Sequence, residues 1–143
     1  SKLKNLMKMK KVKITNAEVI GLVGCLNALT SSGIDMKPRT WFTMAANRKA
    51  LIEQGKLIDE ANKEITDKYK GKDDEGNDII PEKNILKFNQ DKSDILTMES
   101  EIELHTLELS AIEKEMNKMK GVENIFLLFD YIIVDEPKKA KKK

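Results

Sequence analysis

A chain of 143 residues, 40% hydrophobic and 35% charged, is long enough to bury one core and fits a single soluble, helix-rich domain. Its single cysteine excludes an internal disulfide, and no apolar run nears the ~18 residues that a membrane span needs. The basic N-terminus lacks a following apolar stretch with a small-residue cleavage site, so a cytoplasmic setting without membrane contact is expected.

The net charge of +2 hides an asymmetry, because the first thirteen residues carry six lysines and no acid, and five more lysines follow Pro137. Between them 15 basic residues face 24 acidic ones. Residues 1–9 read as a flexible basic leader, 10–136 as one domain and 137–143 as a flexible lysine-rich tail. An acidic body repels a phosphate backbone, so any polyanion contact falls to Lys8, Lys10, Lys11, Lys138, Lys139, Lys141, Lys142 and Lys143. Solvated ends are the simpler reading.

From Lys10 the pattern alternates, with Val12 and Ile14 set between lysines, which predicts a short half-exposed strand. Thr15-Asn16-Ala17-Glu18 is a capping box and starts a helix with Val19, Ile20, Val23, Leu26 and Leu29 as its expected buried face. Gly21 and Gly24 weaken that helix and open it to close approach by another.

Pro38 to Tyr69 is the longest segment with one unbroken helical period, opening with proline in the first turn and stopping at Lys70-Gly71. At 1.5 Å per residue it runs roughly 48 Å, more than a domain of this size is wide, so part of it projects or pairs with another helix. Its stripe supplies a candidate partner-binding face of Trp41, Met44, Leu51, Ile58, Ile65 and Tyr69, and a candidate homodimer contact. Trp41 and Phe42 are expected to anchor its start on the first helix.

Beyond a turn-rich acidic loop at 72–78, Ile79-Ile80-Pro81 and Ile85-Leu86-Lys87-Phe88 read as an irregular hairpin. Residues 91–120 fit one long helix, giving an all-α helical hairpin as the alternative fold. The preferred reading is helix, strand, helix, because Glu101-Ile102-Glu103-Leu104 alternates and Ser110 to Glu113 resembles a second capping box. A strand bearing Glu101 and Glu103 complements the lysine-rich first strand. Val122 to Val134 is an apolar closing element, either a helix with Phe126, Phe129 and Ile133 on one face or a strand, since Ile, Phe, Tyr and Val favour sheets. The expected fold is α+β and mostly helical: a long central amphipathic helix packed with shorter helices and a small two- or three-stranded sheet.

Val-Lys-Ile-Thr-Asn-Ala-Glu-Val-Ile at 12–20, Leu-Asn-Ala-Leu at 26–29, Lys-Asp-Asp-Glu-Gly-Asn-Asp at 72–78 and Glu-Ser-Glu-Ile-Glu-Leu-His-Thr-Leu-Glu-Leu-Ser at 99–110 occur in this order around the long helix. With the apolar closing segment ending Asp-Glu, this order resembles a domain-of-unknown-function family of small proteins from phages and prophages of Gram-positive bacteria. The likeness covers roughly residues 9–136. It implies a phage origin and a host-cytoplasmic or virion-associated setting, and it carries no catalytic residues to transfer.

Chemistry-bearing groups are few. The 71–82 stretch mimics a calcium loop with Gly76 at its sixth position, but its first ligand position is Gly71, which has no side-chain oxygen. One histidine, His105, and one cysteine, Cys25, cannot assemble the common zinc ligand sets within a chain. A Cys25–His105 nucleophile–base pair asks a thiol on a buried helix face to be reactive. No catalytic, cofactor or metal residue is assigned, and no cofactor is expected. The expectation is a non-enzymatic phage protein acting by protein–protein binding, as a virion or assembly component or as an effector of a host factor. The alternative is a nucleic-acid-associated protein using its basic ends.

Overall fold

The computed structural model describes residues 8–135, so the leader up to residue 7 and the lysines at 138, 139, 141, 142 and 143 lie outside the described residues. Strand β1 (Met9–Thr15) leads directly into helix α1 (Asn16–Ser31), and a short link reaches helix α2 (Pro38–Tyr69). A hairpin of β2 (Gly71–Lys72) and β3 (Asp78–Ile79) turns the chain into helix α3 (Glu82–Thr97). Strand β4 (Glu99–His105) and β5 (Leu107–Glu108) follow, then two 3-10 turns, a single-turn α4 (Met116–Met119), helix α5 (Ile125–Tyr131) and β6 (Ile133–Val134). The fold is α+β and mostly helical, with three two-stranded pairs in place of one sheet.

β1 and β4 pair antiparallel in the register that the charge pattern called for, with Lys11 opposite Glu103 and Lys13 opposite Glu101 on the exposed face. On the inner face Val12 meets Ile102, and both are buried. Because residues 99–105 form a strand, the all-α hairpin is ruled out. The parallel pair of β5 and β6 is tied in by the Leu107 N–H, which donates to the Ile132 carbonyl at 3.0 Å.

The capping box at the head of α1 is complete. Glu18 N–H donates to Thr15 Oγ1 at 3.2 Å, while Thr15 N–H and its hydroxyl donate to Glu18 Oε1 at 3.1 and 2.9 Å. Partial burial pushes the Glu18 carboxyl up, but the Thr15 amide and the Tyr131 and Thr15 hydroxyls outweigh it and hold the group below its ordinary value. A depressed carboxylate pKa stabilises the fold above the unfolded-state pKa and loses that contribution as the pH falls through the folded one. The urea-midpoint gap between wild type and Glu18→Gln is therefore expected to be widest near neutral pH and to close in acid. A gap that is independent of pH would remove the cap from the account.

α1 buries Val19, Leu22, Cys25, Leu26 and Leu29, a face rotated from the expected one: Ile20 is 49% exposed and Val23 only half-buried. The rotation follows from Gly21, where an added Cβ would stand 2.8 Å from Leu127 Cδ1 and 3.3 Å from Asn124 Nδ2. Glycine there lets α5 lie against α1. Leu127 and Leu128 fill that contact, so Phe126 and Phe129 turn outward at 59% and 37% exposure, and Ile133 leaves the helix for β6. The expected Phe126–Phe129–Ile133 face is corrected accordingly.

Two further expectations fail for local reasons. The hairpin is closed by Gly71–Lys72 and Asp78–Ile79, with Gly76 at φ +84°, and not by Ile85 to Phe88, which lie within α3. Pro81 stands at the N-cap of that helix without a capping side chain, and Glu82 in its first turn complements the helix dipole, a start that the apolar pieces on either side had masked. Ser110 to Glu113 forms no capping box, because buried Ile112 (φ −127°) separates the 3-10 turns at Leu109–Ala111 and Glu113–Glu115.

Candidate functional site

Much of the apolar stripe of α2 is covered within the chain, although Phe42 and Leu57 on the same helix are exposed. Met44, Leu51, Ile58 and Tyr69 are buried within the chain, while Trp41 and Ile65 are half-buried. α1, β4 and α3 all pack against this helix. Four of the six residues proposed as a partner face and homodimer contact are thus covered by their own chain, which leaves Trp41 and Ile65 half-exposed. Of the two expected anchors only Trp41 packs on the core, and Phe42 is 61% exposed.

Beside the apolar stripe runs a buried polar one that the sequence reading did not pick out: Thr40, Thr43 and Asn47, with Gln54 two turns further on. Asn47 is 1% exposed; its Nδ2 donates to the His105 carbonyl at 2.9 Å and its Oδ1 accepts from the His105 N–H at 2.7 Å. The carboxamide therefore closes the edge of β4 as a neighbouring strand would. Gln54 Nε2 donates to Ser100 Oγ at 2.9 Å and to Asn16 Oδ1 at 3.2 Å, and Asn16 Nδ2 donates to the Ile95 carbonyl at 2.8 Å. These bonds fix α1, α2 and the α3–β4 junction to one another.

At the start of α2 the polar stripe opens into a cleft of about 1190 Å³ between that helix, β5 and the 3-10 turns. Thr40 and Thr43 line it, although only 6% and 3% of their surfaces are exposed. Lys37, Arg39 and Lys114 are also in the lining, as are Asp35, Glu108 and Glu115. Glu115 is engaged already, accepting from the Asp35 N–H at 2.7 Å and pairing with Lys118 at 3.1 Å.

The other end of α2 carries an arm. Tyr69 OH donates to Asp91 Oδ2 at 2.7 Å, Asn84 Nδ2 donates to the Tyr69 carbonyl at 2.9 Å, and the Tyr69 and Phe88 rings meet edge-to-face at 6.3 Å. These contacts tether α3, yet none of its sixteen residues is buried. Ile79, Ile85 and Leu86 lie within eight residues of one another and are 41%, 43% and 70% exposed. Asp73, a would-be calcium ligand, instead accepts the Glu75 and Asn77 N–H groups at 2.9 and 2.8 Å and so shapes the hairpin turn.

No family model matches this chain, nor does any curated protein or solved structure. None of these comparisons bears on the resemblance to phage proteins. Among the described residues, no helix is long and apolar enough to cross a membrane, and no group of three or more His, Cys, Asp or Glu is placed to hold a metal ion. Burial pushes the Cys25 thiol up to about 11, which keeps it protonated and poorly nucleophilic at neutral pH. His105 Nδ1 is buried without a hydrogen-bond partner among the described residues. Of the lysines proposed for polyanion contact, Lys8 and Lys11 are exposed and Lys10 is half-buried, with Glu103 directly across from Lys11.

Proposed function

We propose that this is a non-enzymatic, phage-encoded protein that works by binding another protein, of phage or host, in the host cytoplasm or the virion. The carrying observation is α3, a sixteen-residue helix with no buried residue that holds Ile85 and Leu86 in water. Ordering each backbone residue costs about 1–2 kcal/mol, and a helix that buries so little within its own chain recovers little of that. Apolar side chains grouped on such an arm gain most when a partner covers them. A nucleic-acid role has less support, because the exposed lysines of β1 stand opposite glutamates.

The test is affinity capture from a Gram-positive host lysate before and after nuclease treatment, at low and high salt, with wild type and the double variant Ile85→Ser, Leu86→Ser. Wild type is expected to retain a stoichiometric protein partner, and the variant to lose it with its circular dichroism and thermal midpoint unchanged. Recovery dominated by nucleic acid and lost in salt, or equal capture by both forms, would reject the reading.

A further inference from the structure

The β1–β4 pair has one closed edge and one open one. Along β4 and β5 the outer edge is closed: Asn47 takes the His105 N–H and carbonyl at 2.7 and 2.9 Å, and the Leu107 N–H donates to the Ile132 carbonyl at 3.0 Å. β1 has β4 as its one neighbouring strand among the described residues, and it packs chiefly on β4 and on α1, into which it runs.

Register fixes which groups the open edge offers. Thr106 N–H donates to the Lys8 carbonyl at 2.8 Å and Asn16 N–H to the Met98 carbonyl at 2.9 Å, and both pairs continue the register in which Met9 faces His105 and Thr15 faces Glu99. The even-numbered residues of β1 therefore bond to β4, and the N–H and C=O groups of Met9, Lys11 and Lys13 point the other way. The same parity turns the backbone of His105 to Asn47, and it turns the Thr15 N–H outward, where it donates to Glu18 Oε1 at 3.1 Å. The capping box thus ends the open edge, leaving the row Met9–Lys13, on which Met9, Lys11 and Lys13 are all exposed.

We propose that the Met9–Lys13 edge is a strand-addition site for an extended acidic segment of another protein, with carboxylates at alternate positions beside Lys11 and Lys13. The molecule already contains the matching pattern, because β4 sets Glu103 and Glu101 against the same two lysines from the other side. Neighbouring strands lie about 5 Å apart, so the added carboxylates stand next to the lysines and about 10 Å from Glu101 and Glu103, beyond the ~8 Å Debye length at physiological salt. A second copy is the wrong occupant, because antiparallel β1–β1 pairing sets lysine against lysine. The chain's own ends suit the edge no better, since residues 1–7 and 136–143 carry lysines with Glu136 as their one acid. A nucleic acid offers phosphates but no ladder of N–H and C=O groups to meet the strand. The edge is remote in sequence from the α3 arm, and neither site depends on the other.

Full-length protein labelled with nitrogen-15 is titrated with the end-capped peptide Thr-Glu-Val-Glu-Val-Glu-Thr, and amide hydrogen exchange is followed along β1. Parallel arms use the lysine counterpart Thr-Lys-Val-Lys-Val-Lys-Thr, the acidic peptide N-methylated either at its glutamates or at its valines, and a single-stranded RNA oligonucleotide. In the free protein the Lys11 and Lys13 amides are expected to exchange faster than those of Val12 and Ile14, which bond to β4. Saturating acidic peptide slows Lys11 and Lys13 about tenfold or more, while the lysine peptide and the RNA do not. Only one of the two methylated forms keeps the effect, because only one set of peptide amides faces β1. Changing both Lys11→Gln and Lys13→Gln weakens binding about threefold to tenfold. Lys11→Pro, which removes an N–H that β4 does not use, abolishes it, and the methylated peptides make the same test without altering the protein. The arm variant Ile85→Ser, Leu86→Ser binds the peptide as wild type does. Slow exchange at Lys11 and Lys13 in the free protein, protection that grows with protein concentration alone, or no saturable protection by the acidic peptide would overturn the assignment. So would equal effects of the two methylated forms, or an equal response to the lysine peptide or the RNA.

Discussion

Replacing Asn47 by leucine is expected to cost the fold about 2–4 kcal/mol, although the two side chains are close in size and leucine is the better helix former. Asn47 gives His105 both a donor and an acceptor, at 2.9 and 2.7 Å, from a position only 1% exposed. Leucine leaves the His105 N–H and carbonyl without those partners at the edge of β4, and each orphaned group costs about 1–3 kcal/mol. A loss of this size is a large share of the ~5–15 kcal/mol that holds a domain together. Urea denaturation measures it directly, and hydrogen exchange at the His105 amide should accelerate in the variant. A change below about 0.5 kcal/mol would mean that the strand edge finds other partners and that the carboxamide is not what docks β4 on α2.

Asn47 also marks where reading the sequence stops. The bounds of α2 were legible, since Pro38 and Lys70-Gly71 are strong local signals and the apolar period between them is unbroken. The capping box at Thr15 and Glu18 was legible for the same reason: its chemistry is complete within four residues. The β1–β4 pairing could be inferred from lysines and glutamates that alternate in step, a long-range contact written in local charge. What was not legible depended on distant packing. Hydropathy assigns Thr40, Thr43 and Asn47 to solvent, and only the approach of β4 and β5 to α2 buries them. α3 was misread because Ile79-Ile80 and Ile85 to Phe88 favour sheet locally, while its helical recurrence of Ile85, Phe88 and Ile95 is sparse. Phe126 and Phe129 read as core by composition; their exposure follows from Leu127 packing over Gly21.

Leu51→Ala and Leu57→Ala, six residues apart on α2, are expected to differ by most of the stability that one core leucine supplies. Leu51 is 0% exposed, so truncation removes its transfer free energy and leaves a cavity, a loss of about 2–5 kcal/mol. Leu57 is 59% exposed, and its truncation should fall within about 0.5 kcal/mol of wild type. Their contrast also separates internal core from interface along the stripe Trp41, Met44, Leu51, Ile58, Ile65 and Tyr69. Where a side chain is buried by its own chain, the loss on truncation is independent of protein concentration. Where a second copy buries it, the stability of both wild type and variant rises with concentration, because association is linked to folding by mass action. Urea midpoints for wild type and Leu51→Ala at two protein concentrations a hundredfold apart decide the matter. Unchanged midpoints with a large Leu51 loss fit a helix covered by α1, β4 and α3, whereas midpoints that climb with concentration would return the stripe to a contact between copies and leave the arm as its neighbour, not its replacement.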